Sequence, residues 1–291
     1  MRPTNIQGYL AVSAKFMTEE GMARGLAYQP DPTDIFISPY AKCGTSWMQQ
    51  IVHGLRTGGD MDFDEITQVT PWIEMAHDIG LAVPGDQPHP RAFKSHLSYH
   101  RIPKGGRYIV VLRDPVDAMR SLFRFMEGWF FKTGSIPIAD FAENYLHRKE
   151  RGDYWAHAAS WWEVRDRDDV LLFAYEHMKT DLPGTVAQVA EFIGIHDPDA
   201  IDIATRQAGF DFMKAHQDKF DDNITHAARD PVMGLPPGEA TTKVNTGKVA
   251  GEAHLITPGM RARFDARWSE TMNAEFGLAS YADLLTALKK T

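Results

Sequence analysis

Residues 35–55 constrain the fold of this chain more than any other stretch. Ile35-Phe36-Ile37 follows Asp34 as a short apolar run and reads as a buried strand, which breaks at Ser38-Pro39. After Lys42, Cys43 and Gly44 come two hydroxyl residues, Thr45 and Ser46, and then Trp47, Ile51 and Leu55 at helical spacing. A strand, a tight loop and a helix in this order form a phosphate-holding unit, because the loop turns backbone N–H groups inward and the first helical turn presents unpaired N–H groups and the positive dipole end. Gly44 lets the backbone approach a ligand, Thr45 and Ser46 can cap the helix or donate to phosphate oxygens, and Lys42 adds a positive charge at the rim. An ordinary βα turn with a solvated lysine would share the short motif. The placement at the first strand, where open α/β sheets bind ligands, favours a site. It is not a Walker A loop, because here the lysine precedes the glycine and position 39 is proline.

The remaining pattern is α/β. Residues 1–30 form an N-terminal arm with helix over 8–27, and residues 56–66 are rich in turns. Thr70 as N-cap and Pro71 at the first helical position predict a helix start, and Gly and Pro in 80–90 predict a loop. Strands are expected at 91–95, 107–112 and 169–175; Tyr108-Ile109-Val110-Val111-Leu112 is the continuous apolar run of a buried parallel strand. Helices are expected over 116–126, 138–150, 153–166, 182–194, 198–207, 211–220, 258–272 and 281–289. Residues 221–242, rich in Asp, Asn, Gly and Pro, read as a long loop serving as a lid. Trp129, Phe130 and Phe131 are consecutive, so they are not expected to face one core together; a ligand mouth and a split between core and lid are both open.

Two further groups carry chemistry. His96 ends the 91–95 strand, two residues after Lys94, and an imidazole with an unperturbed pKa of ~6.5 accepts a proton near neutrality. Arg113 ends the 107–112 strand, and Ser121 lies two turns into the following helix, so both converge on one anion; the arginine fork suits phosphate.

Tyr40-Ala41-Lys42-Cys43-Gly44-Thr45-Ser46-Trp47 resembles the Tyr-Pro-Lys-Ser-Gly-Thr-Thr-Trp loop of cytosolic-type sulfotransferases. Lys94-Ser95-His96-Leu97, the run from Val111-Leu112-Arg113-Asp114-Pro115 to Ser121, and Tyr175-Glu176-His177-Met178-Lys179 fit the same family in order and span most of the chain. The resemblance implies a single domain over 1–291 with a central, mostly parallel sheet flanked by helices in three layers, like a P-loop kinase. It implies the donor PAPS (3′-phosphoadenosine 5′-phosphosulfate), with PAP as product and no metal. By the family pattern the loop residues Lys42, Cys43, Gly44, Thr45 and Ser46 grip the 5′-phosphosulfate, and Arg113 and Ser121 hold the 3′-phosphate. Trp47, Tyr175 and Phe210 surround the adenine. His96 is the general base, and Lys42 and Lys94 stabilise charge on the transferring group. The family's late Arg-Lys-Gly loop is matched only by Asn245, Thr246, Gly247 and Lys248, within a lid and cofactor segment at 221–257. Each lost charge-assisted hydrogen bond there weakens donor binding by roughly 1.5–3 kcal/mol unless Lys243 or Lys248 substitutes.

Composition sets outer bounds. A net charge of −8 argues against general nucleic-acid binding. The single cysteine, Cys43, excludes an intramolecular disulfide, and no apolar stretch approaches the ~20 residues of a membrane span, so the expectation is a soluble cytoplasmic protein. Cys43 inside the donor loop predicts sensitivity to thiol oxidation. Phe63, Trp72, Met75, Trp129, Phe130, Phe131 and Met233, in the segments expected to line the acceptor pocket, lean toward a small apolar or aromatic alcohol or phenol. Oligomeric state, a homodimer included, is left open. A nucleotide or nucleoside kinase of related fold and a non-catalytic PAP-binding protein are the alternatives.

Overall fold

The computed structural model describes residues 1–149, 152–237 and 256–288. Two short helices, α1 (Ile6–Ser13) and α2 (Glu19–Leu26), replace the single helix expected in the arm. The break falls where Thr18 caps α2, its hydroxyl oxygen accepting from Gly21 N–H at 2.9 Å. The core elements follow as β1 (Ile35–Ile37), α3 (Thr45–Thr57), α4 (Ile66–Val69), β2 (Ala92–Lys94), β3 (Arg107–Leu112) and α5 (Pro115–Met126). Then come α6 (Ile138–Leu146), α7 (Tyr154–Glu163), β4 (Val170–Ala174), α8 (Tyr175–Thr180), α9 (Leu182–Ile193), α10 (Pro198–Gln207) and α11 (Phe210–Ala215). The described chain closes with α12 (Asn223–Met233), α13 (Pro258–Trp268), a π-helical turn, α14 (Ala274–Phe276) and α15 (Tyr281–Leu288).

Among the described residues the strands form one sheet in the order β2-β1-β3-β4, parallel throughout. The strand period of two separates the two faces. Phe36, Phe93, Tyr108, Val110 and Leu112 enter a core built with α5, α6 and α7; Ile35, Ile37, Ala92, Ile109, Val111 and Phe173 enter another with α3, α9 and α10. A parallel sheet buried on both faces gives the three-layer α/β architecture. Aspartate caps set several helix starts. Asp114 accepts from Val116 and Asp117 N–H ahead of Pro115, and Asp197 accepts from Asp199 N–H ahead of Pro198 in α10.

Three expectations fail here. No helix starts at Thr70; α4 ends there, begun by a capping box between Glu65 and Gln68. Pro71–Ile73 instead lies along the outer edge of β2, with Lys94 N–H donating to the Pro71 carbonyl and Ile73 N–H to the Lys94 carbonyl, both at 2.9 Å. The supposed loop 221–242 contains α12, whose start is capped from afar: the Glu65 carboxylate accepts from Ile224 N–H at 2.7 Å. Trp129, Phe130 and Phe131 all enter one core at 2 % exposure or less. The chain turns there, from Gly128 at φ 81° with Phe130 N–H bonded back to Met126, so successive side chains do not alternate as they would on a strand.

Candidate active site

The chain leaves the sheet at Ser38, Ser95, Arg113 and Tyr175, all at the carboxyl ends of their strands. From β1 the chain moves to one side to form β2, then crosses to β3 on the other side. That reversal makes the β1–β3 gap a topological switch point, where open α/β sheets hold ligands.

The loop 38–44 spans this gap and is held firmly. Ser38 N–H donates to the Ile109 carbonyl at 2.9 Å, and its hydroxyl donates to the Leu97 carbonyl at 2.9 Å. The Tyr40 hydroxyl donates to the Gly152 carbonyl at 2.7 Å. His157 Nε2 lies 3.1 Å from the Ser38 carbonyl, and burial pushes this imidazole down to about 3, so it supports the loop as a neutral donor. Lys42 adopts φ 67° and Gly44 φ 101°. Left-handed residues so close together fold the backbone over the start of α3, which has no side-chain cap. Glycine is favoured at 44 because the φ is left-handed, and a Cβ would also press on the Tyr175 ring at 3.1 Å.

Arg113 joins the loop to β3. A terminal guanidinium nitrogen donates to the Lys42 carbonyl at 2.9 Å, and the group lies 4.4 Å from the centre of the Tyr175 ring. Arg113 is 9 % exposed, and its Nε has no hydrogen-bond partner among the described residues. Thr45 Oγ1 is likewise buried without one. Orphaned donors of this kind are uncommon in native proteins, and here they flank an uncapped helix start. The donor set fits a multiply charged anion. Ser121 is half-buried in α5. Lys42 Nζ sits 3.8 Å from the Phe125 ring centre.

On the other side of the loop Trp47 packs edge-to-face on Tyr175 at 5.6 Å and donates from Nε1 to the Ala208 carbonyl at 2.8 Å. Two residues beyond Ala208, Phe210 opens α11 with 47 % of its surface exposed. Trp47 beside the loop, and Phe210 in the segment that Ala208 ties to it, carry aromatic surface at this end of the sheet. Asn245, Thr246, Gly247 and Lys248 lie outside the described residues.

His96 stands at the far lip. Its Nδ1 is 2.7 Å from the Pro39 carbonyl, an oxygen that only accepts, so Nδ1 carries the hydrogen, which in a neutral imidazole puts the lone pair on Nε2. The Trp72 ring packs edge-on at 5.1 Å. Lys94 is 4 % exposed; its ammonium lies 4.0 Å from the Trp72 ring centre and 3.8 Å from Asp222 Oδ1, at the start of α12. Asp222 escaped sequence reasoning because its partner is remote in the chain; a helical period over Thr225, Arg229 and Met233 was the available signal. Glu74 was missed too, read as part of a helix start.

Two expectations are corrected. Cys43 is fully buried, and burial pushes its thiol up to about 12, which removes the thiolate that oxidants and alkylating reagents attack. The folded protein is expected to show no reactive thiol in a disulfide-exchange colour assay, and one thiol after denaturation. Rapid modification of the native chain would contradict the packing. All seven side chains expected in the acceptor pocket are buried: Phe63, Trp72, Met75, Trp129, Phe130, Phe131 and Met233 are packed in cores. Trp72 also lies against His96.

The sulfotransferase domain model matches residues 32–275, and the chain belongs to that family. It is a sulfotransferase, one of the transferases that move sulfuryl groups. Amine sulfotransferase of Oryctolagus cuniculus is 29 % identical over 265 residues, which cover 86 % of this chain and 84 % of that protein. Luciferin sulfotransferase of Photinus pyralis is 28 % identical over 263 residues, covering 77 % and 69 %. Mouse sulfotransferase SULT7A1 complexed with PAP superimposes with a TM-score of 0.66 at 23 % identity, over 90 % of this chain and 92 % of that one. Retinol dehydratase in complex with androsterone and PAP gives 0.69 at 18 % identity, over 91 % and 85 %; both structures share the fold. Among the described residues no helix is long and apolar enough to cross a membrane, and no cluster of metal-ligating side chains occurs.

Proposed function

We propose that this chain transfers a sulfuryl group from PAPS to the hydroxyl of a small apolar or aromatic acceptor, with His96 as the general base. The observation that carries this reading is the 2.7 Å contact between His96 Nδ1 and the Pro39 carbonyl. It ties a ring with basic Nε2 to the loop that would hold the donor. Loop N–H groups from Lys42 to Ser46 would take the 5′-phosphosulfate, Arg113 and Ser121 the 3′-phosphate, and Trp47, Tyr175 and Phe210 the adenine. The bound donor would supply an activated sulfuryl group. Nε2 of His96 takes the acceptor's proton, and Lys42 and Lys94 offset negative charge on the reacting oxygens; preorganised charge of this kind is the main rate term in related phosphoryl transfers. Lys94 would move from Asp222 to do so. Relatives named for amine and luciferin substrates support a small-molecule acceptor, and Trp72 beside His96 supports an apolar one.

Calorimetric titration with PAP, with ATP and ADP as controls, tests the donor assignment. Saturable PAP binding with weak or absent binding of the controls is expected. Binding of ATP in place of PAP would move the assignment to a kinase. PAP binding with no turnover across a panel of phenols and alcohols would make this a binding protein.

A further inference from the structure

Glu74 is a buried carboxylate that the mechanism above does not use. It is 2 % exposed, and its Oε1 accepts the backbone N–H of His96 at 2.7 Å. That N–H lies just past the sheet ladder: Ser95 N–H still donates to the Ile37 carbonyl at 2.8 Å, whereas His96 is the first residue beyond it. Glu74 reaches it because Pro71–Ile73 is clamped along the edge of β2 by the two bonds to Lys94. Burial raises the carboxyl's pKa above its ordinary range. Placing such a group where a turn would otherwise close on water is unfavourable unless its bond is needed.

We infer that Glu74 is a positioning residue for His96, fixing the main chain of the base while the Pro39 carbonyl fixes its ring. With both held, the direction of Nε2 follows from covalent geometry, and Trp72, two residues before Glu74, packs edge-on against the same ring. The segment 71–74 therefore couples the acceptor side of the site to the donor loop. Losing the Glu74 bond frees the peptide between Ser95 and His96 to rotate, and a displacement of about 1 Å at a reacting group can cost on the order of 100-fold in rate.

This inference rests on His96 being the base, so His96→Ala is assayed alongside. Glu74→Ala is expected to lower kcat about 10- to 100-fold, with PAP affinity and the KM for donor within about threefold of the parent. Glu74→Gln keeps an acceptor oxygen at the same reach and should retain most of kcat. Glu74→Asp keeps the carboxyl, is one methylene short, and should fall with the alanine variant; it serves if the alanine variant does not fold. With 15N-labelled histidine, the proton on His96 Nδ1 should give a slowly exchanging resonance in the parent and in Glu74→Gln, and a broadened or absent one in Glu74→Asp. Unchanged kcat in Glu74→Ala and Glu74→Asp, with His96→Ala inactive, would overturn the inference and leave the base assignment standing. A loss confined to PAP affinity and melting temperature would also overturn it, by making Glu74 merely structural. Turnover by His96→Ala would instead remove the base assignment itself.

Discussion

His96→Ala should lower kcat by roughly 100- to 10,000-fold, the range that a positioned general base contributes, and leave PAP affinity unchanged. The expectation follows from which bonds the ring makes. Its Nδ1 is engaged with the Pro39 carbonyl, so on the proposed assignment Nε2 is the basic nitrogen, and among the described residues no other imidazole is bonded to that carbonyl. Among the described residues a second histidine, His157, also touches the loop; it is buried with its pKa lowered to about 3, and its Nε2 is committed to the Ser38 carbonyl. It cannot take over the proton. The donor loop, by contrast, keeps its shape without His96, because the bonds from Ser38 to Ile109 and Leu97 and from Arg113 to Lys42 remain. Rate and binding should therefore separate. Single-turnover transfer from labelled donor, beside PAP calorimetry, measures both, and unchanged turnover would place the base elsewhere.

What could be read from the chain was whatever local chemistry decides. The strand, loop and helix over 35–57, the run 107–112 and the proline-started α5 were legible because burial pattern, Gly44 and the Asp114-Pro115 cap all act within a few residues. The order of His96, Arg113 and Tyr175 at strand ends was legible for the same reason. What failed depended on partners remote in sequence. Thr70-Pro71 carries a sound helix-start signal, yet the free edge of β2 took its backbone. The polar stretch after Asp221 lacks a local cap, and Glu65 supplies one from across the fold. Cys43 sits in a loop, where exposure is the ordinary expectation; Tyr154 and Tyr175 crowd around that loop, and Cys43 is sealed into the core. The partner of Lys94, Asp222, is the N-cap of α12, in a stretch whose local composition reads as a loop.

Arg113→Ala should weaken PAP binding by about 10- to 150-fold, since a hydrogen bond to a charged group contributes roughly 1.5–3 kcal/mol and 1.4 kcal/mol is tenfold. The residue is fitted for that task in three ways. It is nearly buried, its Nε has no hydrogen-bond partner among the described residues, and its plane is set by the Tyr175 ring and the Lys42 carbonyl. Arginine also matters by chemistry: a lysine at 113 is a point charge that cannot donate to the Lys42 carbonyl and to a phosphate in the same fork, so Arg113→Lys should recover only part of the loss. The family's late Arg-Lys pair is Asn245-Thr246 in this chain, so on the proposed assignment a larger share of 3′-phosphate recognition would fall on Arg113 unless Lys243 or Lys248 substitutes. Because Arg113 also anchors the loop, the contact must be separated from the scaffold, and adenosine 5′-phosphate, which lacks the 3′-phosphate, does this. If Arg113 binds that group, the variant loses affinity for PAP and keeps its affinity for the monophosphate, and the two ligands become nearly equal. An equal loss for both would mean that Arg113 acts only by holding Lys42 and the loop, and the 3′-phosphate would need another partner.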